Sequence, residues 1–262
     1  MKRLARVGLL FGVLSLGGVV ACSEENDAAK QHRVKGTNHL AKKEYKEATA
    51  EYALSLQADP KQEKVWEKKA FAHMELGETD KAAEAVLKIL EMKTAPADKL
   101  ETYVTLAGMY MKANDLEAAE KNFNEALKID PKNEAALGWI AEIYAQRGGA
   151  RSMAAPIVKD ALEKSLGYYD QVIAINPNSP NSYLNKRVVM FRLMEYERQQ
   201  KEMAESEAKE NAKDAAIVAE ATARAAEHQK KLDDYQAQAQ VMTQKFSEAQ
   251  KAQKATQAAA TK

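Results

Sequence analysis

The stretch LETYVTLAGMYMKANDLEAAEKNFNEALKIDPKN, residues 100–133, decides the fold. Tyr103, Leu106 and Tyr110 are spaced three and four residues apart, which places them on one face of a helix. Asn114 follows that face at a point where the chain can turn. The pattern therefore predicts a first helix that ends near residue 113.

A second helix is predicted in the other half of the same stretch. Phe123 and Leu127 again lie four residues apart and share a face. Ala107 and Ala119 are small, so the two helices can cross closely at these positions. Pro131 ends the second helix, because proline cannot continue a helix interior. One helix pair cannot bury both of its faces, so such pairs are expected to stack.

This 34-residue pattern closely resembles a tetratricopeptide repeat, and further copies align at 29–62 and 63–96. The matching residues in those two copies are Gly36, Tyr45, Ala48, Tyr52, Leu56, Pro60, Trp66, Ala70, Gly77, Ala82 and Leu90. The resemblance covers residues 29–194. It implies an all-α fold: a tetratricopeptide-repeat α-solenoid of about four to five helix pairs, followed by a long C-terminal helix.

The fourth copy departs from the pattern, because its two helix signals lie 12 residues too far apart. Gly148 and Gly149 predict a loop in the excess, and Pro156 is expected to open a longer second helix. The first helix of a fifth repeat is predicted to begin near Asn181.

Residues 195–252 contain no glycine or proline and are predicted to form one long helix. A heptad seam with steps of three and four residues runs through Val218, Ala221, Ala225, His228, Leu232, Tyr235, Ala239, Met242, Phe246 and Ala249. Three interpretations stay open: a solvated single helix, a coiled coil within the chain or between chains, and packing of 232–246 on the repeat domain. A coiled coil between chains would give self-association through this helix. Residues 253–262 are expected to be a disordered tail.

The N-terminal 21 residues have the pattern of an export signal peptide. A basic end precedes an uncharged run of 15 residues, 7–21, which is too short for a spanning helix of about 20 residues. Val19 to Cys22 resembles the lipobox of bacterial lipoproteins, and this resemblance implies that Cys22, the single cysteine, becomes a lipidated (palmitate-bearing) first residue. Residues 22–28 would then be an anchor and linker. The alternative is ordinary signal cleavage after Ala21, which would leave Cys22 as a free thiol.

Composition argues against several functions. The formal net charge is +1, so nothing favours nucleic acid. His39 and His73 occupy equivalent positions in adjacent repeats. They could replace the tyrosine that the repeat pattern places in the core, or they could bind a metal ion as a pair. We favour the first interpretation. No phosphate-binding glycine loop or nucleophile motif is present in the sequence. We therefore expect no catalytic residues, no metal, no cofactor and no enzymatic activity.

The family resemblance implies a concave groove lined by the first helix of each repeat. The groove positions of the first three repeats are Lys30, Arg33, Thr37, Leu40, Lys64, Glu67, Phe71, Met74, Glu101, Val104, Met111 and Lys112, and those of the fourth are Gly138, Glu142 and Gln146. Phe71, Met74, Val104 and Met111 are expected to form one apolar strip.

The function expected from these features is a non-catalytic scaffold that binds an envelope protein or peptide in this groove. Lipid on Cys22 would hold it on the periplasmic face of the outer membrane, where it would aid assembly of an envelope machine in the manner of a pilotin. The alternatives are an adaptor for peptidoglycan-remodelling enzymes, or an enzyme with an unrecognised site.

Overall fold

The computed structural model describes residues 27–152 and 154–260, and this part of the chain forms ten α-helices and no strand. The helices are α1 Asp27–Ala41, α2 Tyr45–Ala58, α3 Glu63–Glu75, α4 Thr79–Met92, α5 Pro96–Lys112, α6 Leu116–Ile129, α7 Glu134–Arg147, α8 Lys159–Ile175, α9 Pro180–Glu210 and α10 Ala215–Ala260. The predicted signal peptide 1–21 and Cys22 lie outside the described residues.

The helices pack in consecutive pairs, and the pairs stack. The helix α1 packs on α2, α3 on α4, α5 on α6 and α7 on α8, and each pair contacts the next through its second helix. The helices α9 and α10 form the last pair, with the most extensive contact in the structure. The predicted all-α tetratricopeptide-repeat solenoid with a long C-terminal helix is therefore confirmed.

The turn inside each of the first three pairs uses the same backbone device. Lys43, Gly77 and Asn114 stand at equivalent positions and have φ angles of 61°, 73° and 59°. In all three turns the amide of the following residue donates a 2.9 Å hydrogen bond to the carbonyl five residues earlier. This bond satisfies a carbonyl at the end of the first helix and directs the chain into the second.

Small residues stand where the paired helices cross. Ala107 and Ala119 are fully buried, as the repeat pattern predicts. In the first pair a Cβ atom on Gly36 would lie only 2.7 Å from the ring of Tyr52, so only glycine fits there. Ala119 belongs to a core cluster that also contains Phe123 and Ile140.

The insertion in the fourth pair is a loop followed by a longer helix. The helix α8 has 17 residues, against 14 in α6, so the longer second helix is confirmed. Pro156 lies in the loop instead of opening that helix. The reason is that the amide of Val158 bonds back to the carbonyl of Gly148 at 3.3 Å, and helical structure begins only at Lys159.

The C-terminal region differs from the single helix predicted over 195–252. The helix α9 runs through residue 195 and ends at Glu210, and α10 begins at Ala215. Side chains cap both ends: Nδ2 of Asn211 donates to the carbonyl of Glu207 at 2.9 Å, and Oδ1 of Asp214 accepts from the amide of Ala216 at 3.0 Å. The predicted disordered tail 253–262 differs as well, because α10 continues to Ala260 through alanine-rich sequence of high helix propensity.

The helix α10 folds back along α9 with its heptad seam inward. Ala221, Ala225, Ala239 and Ala249 are buried, and the larger seam residues are partly buried. Tyr235 packs against a core cluster that includes Leu162 of α8 and residues of α7 and α9. The seam thus serves packing within the chain, against α9 and the repeat domain, and self-association stays a prediction. Among the described helices, none combines the length and apolar character that crossing a membrane requires.

Candidate protein-binding groove

A recess of about 360 Å³ opens between the first helices α3 and α5, with α4 beneath it. We call it the acidic recess. Its apolar residues are Ala70, Phe71, Met74, Val86, Ile89 and Met109. Its carboxylates are Glu63, Glu67, Glu75, Asp98 and Glu101, and its lysines are Lys93 and Lys112.

Phe71 is the most exposed large apolar side chain of the acidic recess, with a relative exposure of 51%. Its ring meets that of Tyr45 on α2 edge to face, with centroids 6.4 Å apart. Burial and the neighbouring Glu75 carboxylate raise the pKa of the Tyr45 hydroxyl. Because the Tyr45 contact holds one edge of Phe71, the recess presents an oriented aromatic surface to solvent.

The charge of the acidic recess is unbalanced. Its carboxylates outnumber its lysines by three. Lys93 is paired with Glu63 at 2.5 Å, and this hydrogen bond, with the negative charges of Glu63, Asp98 and Glu67, raises the pKa of Lys93. Among the described residues, no basic side chain forms an ion pair with Glu67, Asp98 or Glu101. The recess is thus a locally negative surface on a chain whose formal net charge is +1.

The predicted groove residues of α5 divide between its two sides. Lys112 borders the acidic recess. Val104 and Met111 are partly buried and pack on the other side, against the core cluster that contains Phe123 and Ile140. The structure therefore brings Phe71 and Met74 together with Met109, and not with Val104 and Met111 in a single strip.

The predicted residues Thr37 and Leu40 of α1 make contacts within the first repeat and with α3 of the second. The Thr37 hydroxyl oxygen accepts from Nζ of Lys68 at 3.2 Å, and the hydroxyl of Tyr52 reaches it at 3.5 Å. Leu40 packs against the core cluster of α2 and α3. Arg33 is partly buried. The first repeat consequently offers fewer free groups than the acidic recess.

A second recess of about 700 Å³ lies between α7, α8 and α9, and we call it the polar recess. The predicted positions Gly138, Glu142 and Gln146 line it, together with Arg151 from the inserted loop. The carboxylate of Glu142 accepts from Nε of Arg151 at 2.8 Å, from Gln146 at 3.2 Å and from the hydroxyl of Tyr169 at 3.3 Å. Its hydrogen-bonding capacity is already used within the chain.

These contacts set the charges of the polar recess. Burial by itself raises the pKa of Glu142, but the hydrogen bonds and positive charge of Arg151, with Gln146 and Tyr169, outweigh it and hold that pKa below its usual value. Burial, with the Glu142 charge, raises the pKa of Tyr169. Sequence reasoning missed Arg151, because it lies in the insertion that has no counterpart in the other repeats.

The two histidines at equivalent positions make equivalent ion pairs. Nδ1 of His39 lies 2.7 Å from Oε2 of Glu44, and Nδ1 of His73 lies 2.7 Å from Oε2 of Glu78. Each carboxylate belongs to the residue just before the second helix of its pair. In the described part of the chain, no three histidine, cysteine or acidic residues cluster as metal ligands would. The geometry therefore gives these histidines a role in the turn.

Comparison with known proteins agrees with this architecture. The family model "Tetratricopeptide repeat" matches residues 100–133. A TPR repeats protein from Bacteroides fragilis NCTC 9343 superposes with a TM-score of 0.57 at 18% identity, covering 88% of this chain and 98% of that one. A tetratricopeptide repeat protein from Parabacteroides merdae ATCC 43184 gives a TM-score of 0.50 at 13% identity, covering 86% and 87%. At these identities the likeness shows the fold alone.

One curated relative is a U-box domain-containing protein 70 from Oryza sativa subsp. japonica. It is 28% identical over 109 residues, which are 42% of this chain and 13% of the relative. The match therefore spans only a small part of that protein. Together, the family match and the solved folds support a tetratricopeptide-repeat protein, and this fold suggests a protein–protein interaction scaffold.

Proposed function

We propose that this chain is a non-catalytic adaptor that holds a partner protein in its groove at the periplasmic face of the outer membrane. The observation that carries the proposal is the acidic recess. A half-exposed phenylalanine lies there beside Glu67, Asp98 and Glu101, which form no ion pair in the described chain. An exposed apolar group at the centre of a concave surface is typical of a binding site.

The membrane part of the proposal rests on the sequence before α1. The basic end, the short uncharged run and the Val19 to Cys22 context favour lipidation of Cys22. Several acyl chains give stable anchoring, since each buried CH₂ contributes about 0.8 kcal/mol. A tethered groove beside the outer membrane suits assembly of an envelope machine, which is a pilotin-like role.

Site-specific cross-linking tests the binding site. A photoreactive amino acid replaces Phe71 in one strain and the exposed Lys121 of α6 in a control strain, and intact cells are irradiated. Position 71 is expected to capture a discrete protein that position 121 does not. Identical capture profiles at the two positions would contradict the groove as the binding site.

Membrane fractionation tests the anchor. Wild-type protein is expected to incorporate radiolabelled palmitate and to sediment with outer membranes. A Cys22→Ala protein is expected to lose the label and to appear soluble or unprocessed. A processed Cys22→Ala protein that still sediments with membranes would overturn the anchoring proposal and leave the groove proposal intact.

A further inference from the structure

We propose that the acidic recess selects a basic amphipathic segment of the partner protein. This segment would place one apolar side chain on Phe71, Met74 and Met109, and lysine or arginine side chains beside Glu67 and Glu101. The inference rests on the proposed function, because it names the chemistry of the partner that the groove holds.

Charge is the first argument. The unpaired carboxylates Glu67, Asp98 and Glu101 stand along the rim, one on α3 and two on α5. Lys93 is hydrogen-bonded to Glu63 and also lies in the field of Asp98 and Glu67, so its single charge does not balance this group of carboxylates. A cation placed beside a carboxylate near a protein surface gains Coulomb energy, from which the cost of desolvating both groups is subtracted. A basic segment therefore gains where an acidic one is repelled, and such complementarity sets specificity and association rate.

The apolar centre is the second argument. Phe71 is 51% exposed, and Met74 and Met109 beside it are partly buried. Methionine adapts its shape to varied apolar groups. A purely cationic partner would leave this surface exposed to water. A purely apolar partner would strip water from the rim carboxylates without replacing it, which is costly. Only a segment with both features matches the recess.

The contrast with the polar recess supports the choice of site. Glu142 there is bound by Arg151, and Glu134 accepts from Nδ2 of Asn176 at 3.0 Å. Those carboxylates have partners inside the chain, so they attract external cations less. Of the carboxylates that line these two recesses, Glu67, Asp98 and Glu101 form no ion pair within the described chain, which leaves them for a partner.

A second copy of this chain is the less suitable occupant. Residues 251–259 of α10 are exposed and include Lys251 and Lys254. The remaining residues up to 260 are alanine, glutamine and threonine, so this helix end has no large apolar group for Phe71. The positive charge of this helix end suits the carboxylates of the recess, but the helix end would leave Phe71, Met74 and Met109 uncovered.

Binding of three synthetic peptides to the purified full-length protein tests the inference. The first is an 18-residue fluorescent helix with lysines on one face and leucines on the other. The second has glutamate at each lysine position, and the third has serine at each leucine position. We expect the first to bind at least about tenfold more tightly than either other, by fluorescence anisotropy. We also expect its affinity to fall as salt shortens the Debye length from about 10 Å at 0.1 M to about 3 Å at 1 M.

Charge reversal supplies the decisive variants. Glu67→Lys with Glu101→Lys is expected to reverse the order of the lysine and glutamate peptides, while circular dichroism shows an unchanged fold. Glu91→Lys with Glu117→Lys changes the net charge equally, but at exposed positions outside the recess. This control pair is expected to keep the wild-type order.

The inference fails if the lysine and glutamate peptides bind equally, if no peptide binds, or if the control pair also reverses the order. It also fails if wild-type protein forms dimers that Glu67→Lys with Glu101→Lys abolishes, because a second copy would then be the occupant. The cross-link from position 71 distinguishes failure of the proposed function from failure of this inference. Capture of a protein without any charge preference keeps the proposed function and rejects this inference.

Discussion

Nδ1 of His228 on α10 lies 2.6 Å from Oε2 of Glu197 on α9, and the Glu197 side chain is fully buried. Nζ of Lys159 in the first turn of α8 lies 3.5 Å from the other oxygen of that carboxylate. Three helices therefore meet at one buried acidic group. Because an unpaired buried carboxylate is costly, this contact fixes the position at which α10 docks.

Removal of the His228 side chain should loosen that docking. We expect His228→Ala to lower the free energy of unfolding by about 1–3 kcal/mol, since the buried Glu197 carboxylate would keep only its longer 3.5 Å contact with Lys159. Chemical denaturation followed by circular dichroism measures this. The control is His39→Ala, which removes a 2.7 Å pair whose side chains are 33% and 45% exposed. It should change stability much less, and equal losses in the two variants would contradict the role of burial.

The C-terminal region shows what sequence spacing can and cannot predict. The heptad seam through His228 and Tyr235 was readable from the sequence, because it depends on local periodicity. Glu197 gave no signal, since its partner His228 lies 31 residues away in the sequence. The break at 211–214 was missed because it lacks glycine and proline and depends on side-chain caps from Asn211 and Asp214.

The turn after α3 offers a test of backbone conformation alone. Gly77 has a φ of +73°, and a Cβ atom there would contact nothing within 4 Å. We expect Gly77→Ala to lower the free energy of unfolding by about 1 kcal/mol, because L-residues are strained in the left-handed region. Gly108 in the middle of α5 also has open space around it, but its φ is ordinary.

Gly108→Ala is the matched control. It should raise the free energy of unfolding by about 0.5–1 kcal/mol, because alanine has the higher helix propensity. Urea denaturation of both variants gives the comparison. Stabilisation by Gly77→Ala would mean that the chain does not turn through the left-handed region at that residue.

The Arg151–Glu142 pair predicts a pH dependence. The pKa of Glu142 is held below its usual value of 4.5 in the folded chain. The ionised carboxylate therefore stabilises the fold above about pH 4.5, and this contribution is lost as the pH falls through the lowered folded pKa. We expect Arg151→Met to be clearly less stable than wild type at pH 7, and the difference to shrink steadily below about pH 4.5.

Thermal melts between pH 7 and pH 3 measure this difference. Lys88→Met is the control, because Lys88 pairs with Glu91 at a surface where the side chains are 52% and 64% exposed. Its melting point should stay close to that of wild type throughout. If the Arg151→Met difference were constant with pH, the loop would be stabilised by packing and not by this charge pair.

The groove was predictable as far as the repeat pattern reaches. Repeat positions correctly brought Glu67, Phe71 and Met74 to one recess. They also brought Lys112 of α5 to the opposite wall of that recess but missed Met109, which is not a groove position of the family pattern. The contribution of Met109 is visible only once the helices are stacked.

The last prediction separates binding residues from packing residues within the predicted strip. Phe71→Ala should leave the melting point nearly unchanged, because the side chain is half exposed. It should weaken binding of the protein captured by the position 71 cross-link by roughly 30-fold, the equivalent of an anchor worth about 2 kcal/mol. Met111→Ala should do the reverse. It removes a partly buried side chain from the core cluster of α5 to α7, so it should cost about 1–2 kcal/mol of stability and leave binding nearly intact. Titration with the captured protein and thermal melts measure the two effects. A Phe71→Ala protein that melts normally and binds with wild-type affinity would remove the acidic recess as the binding site.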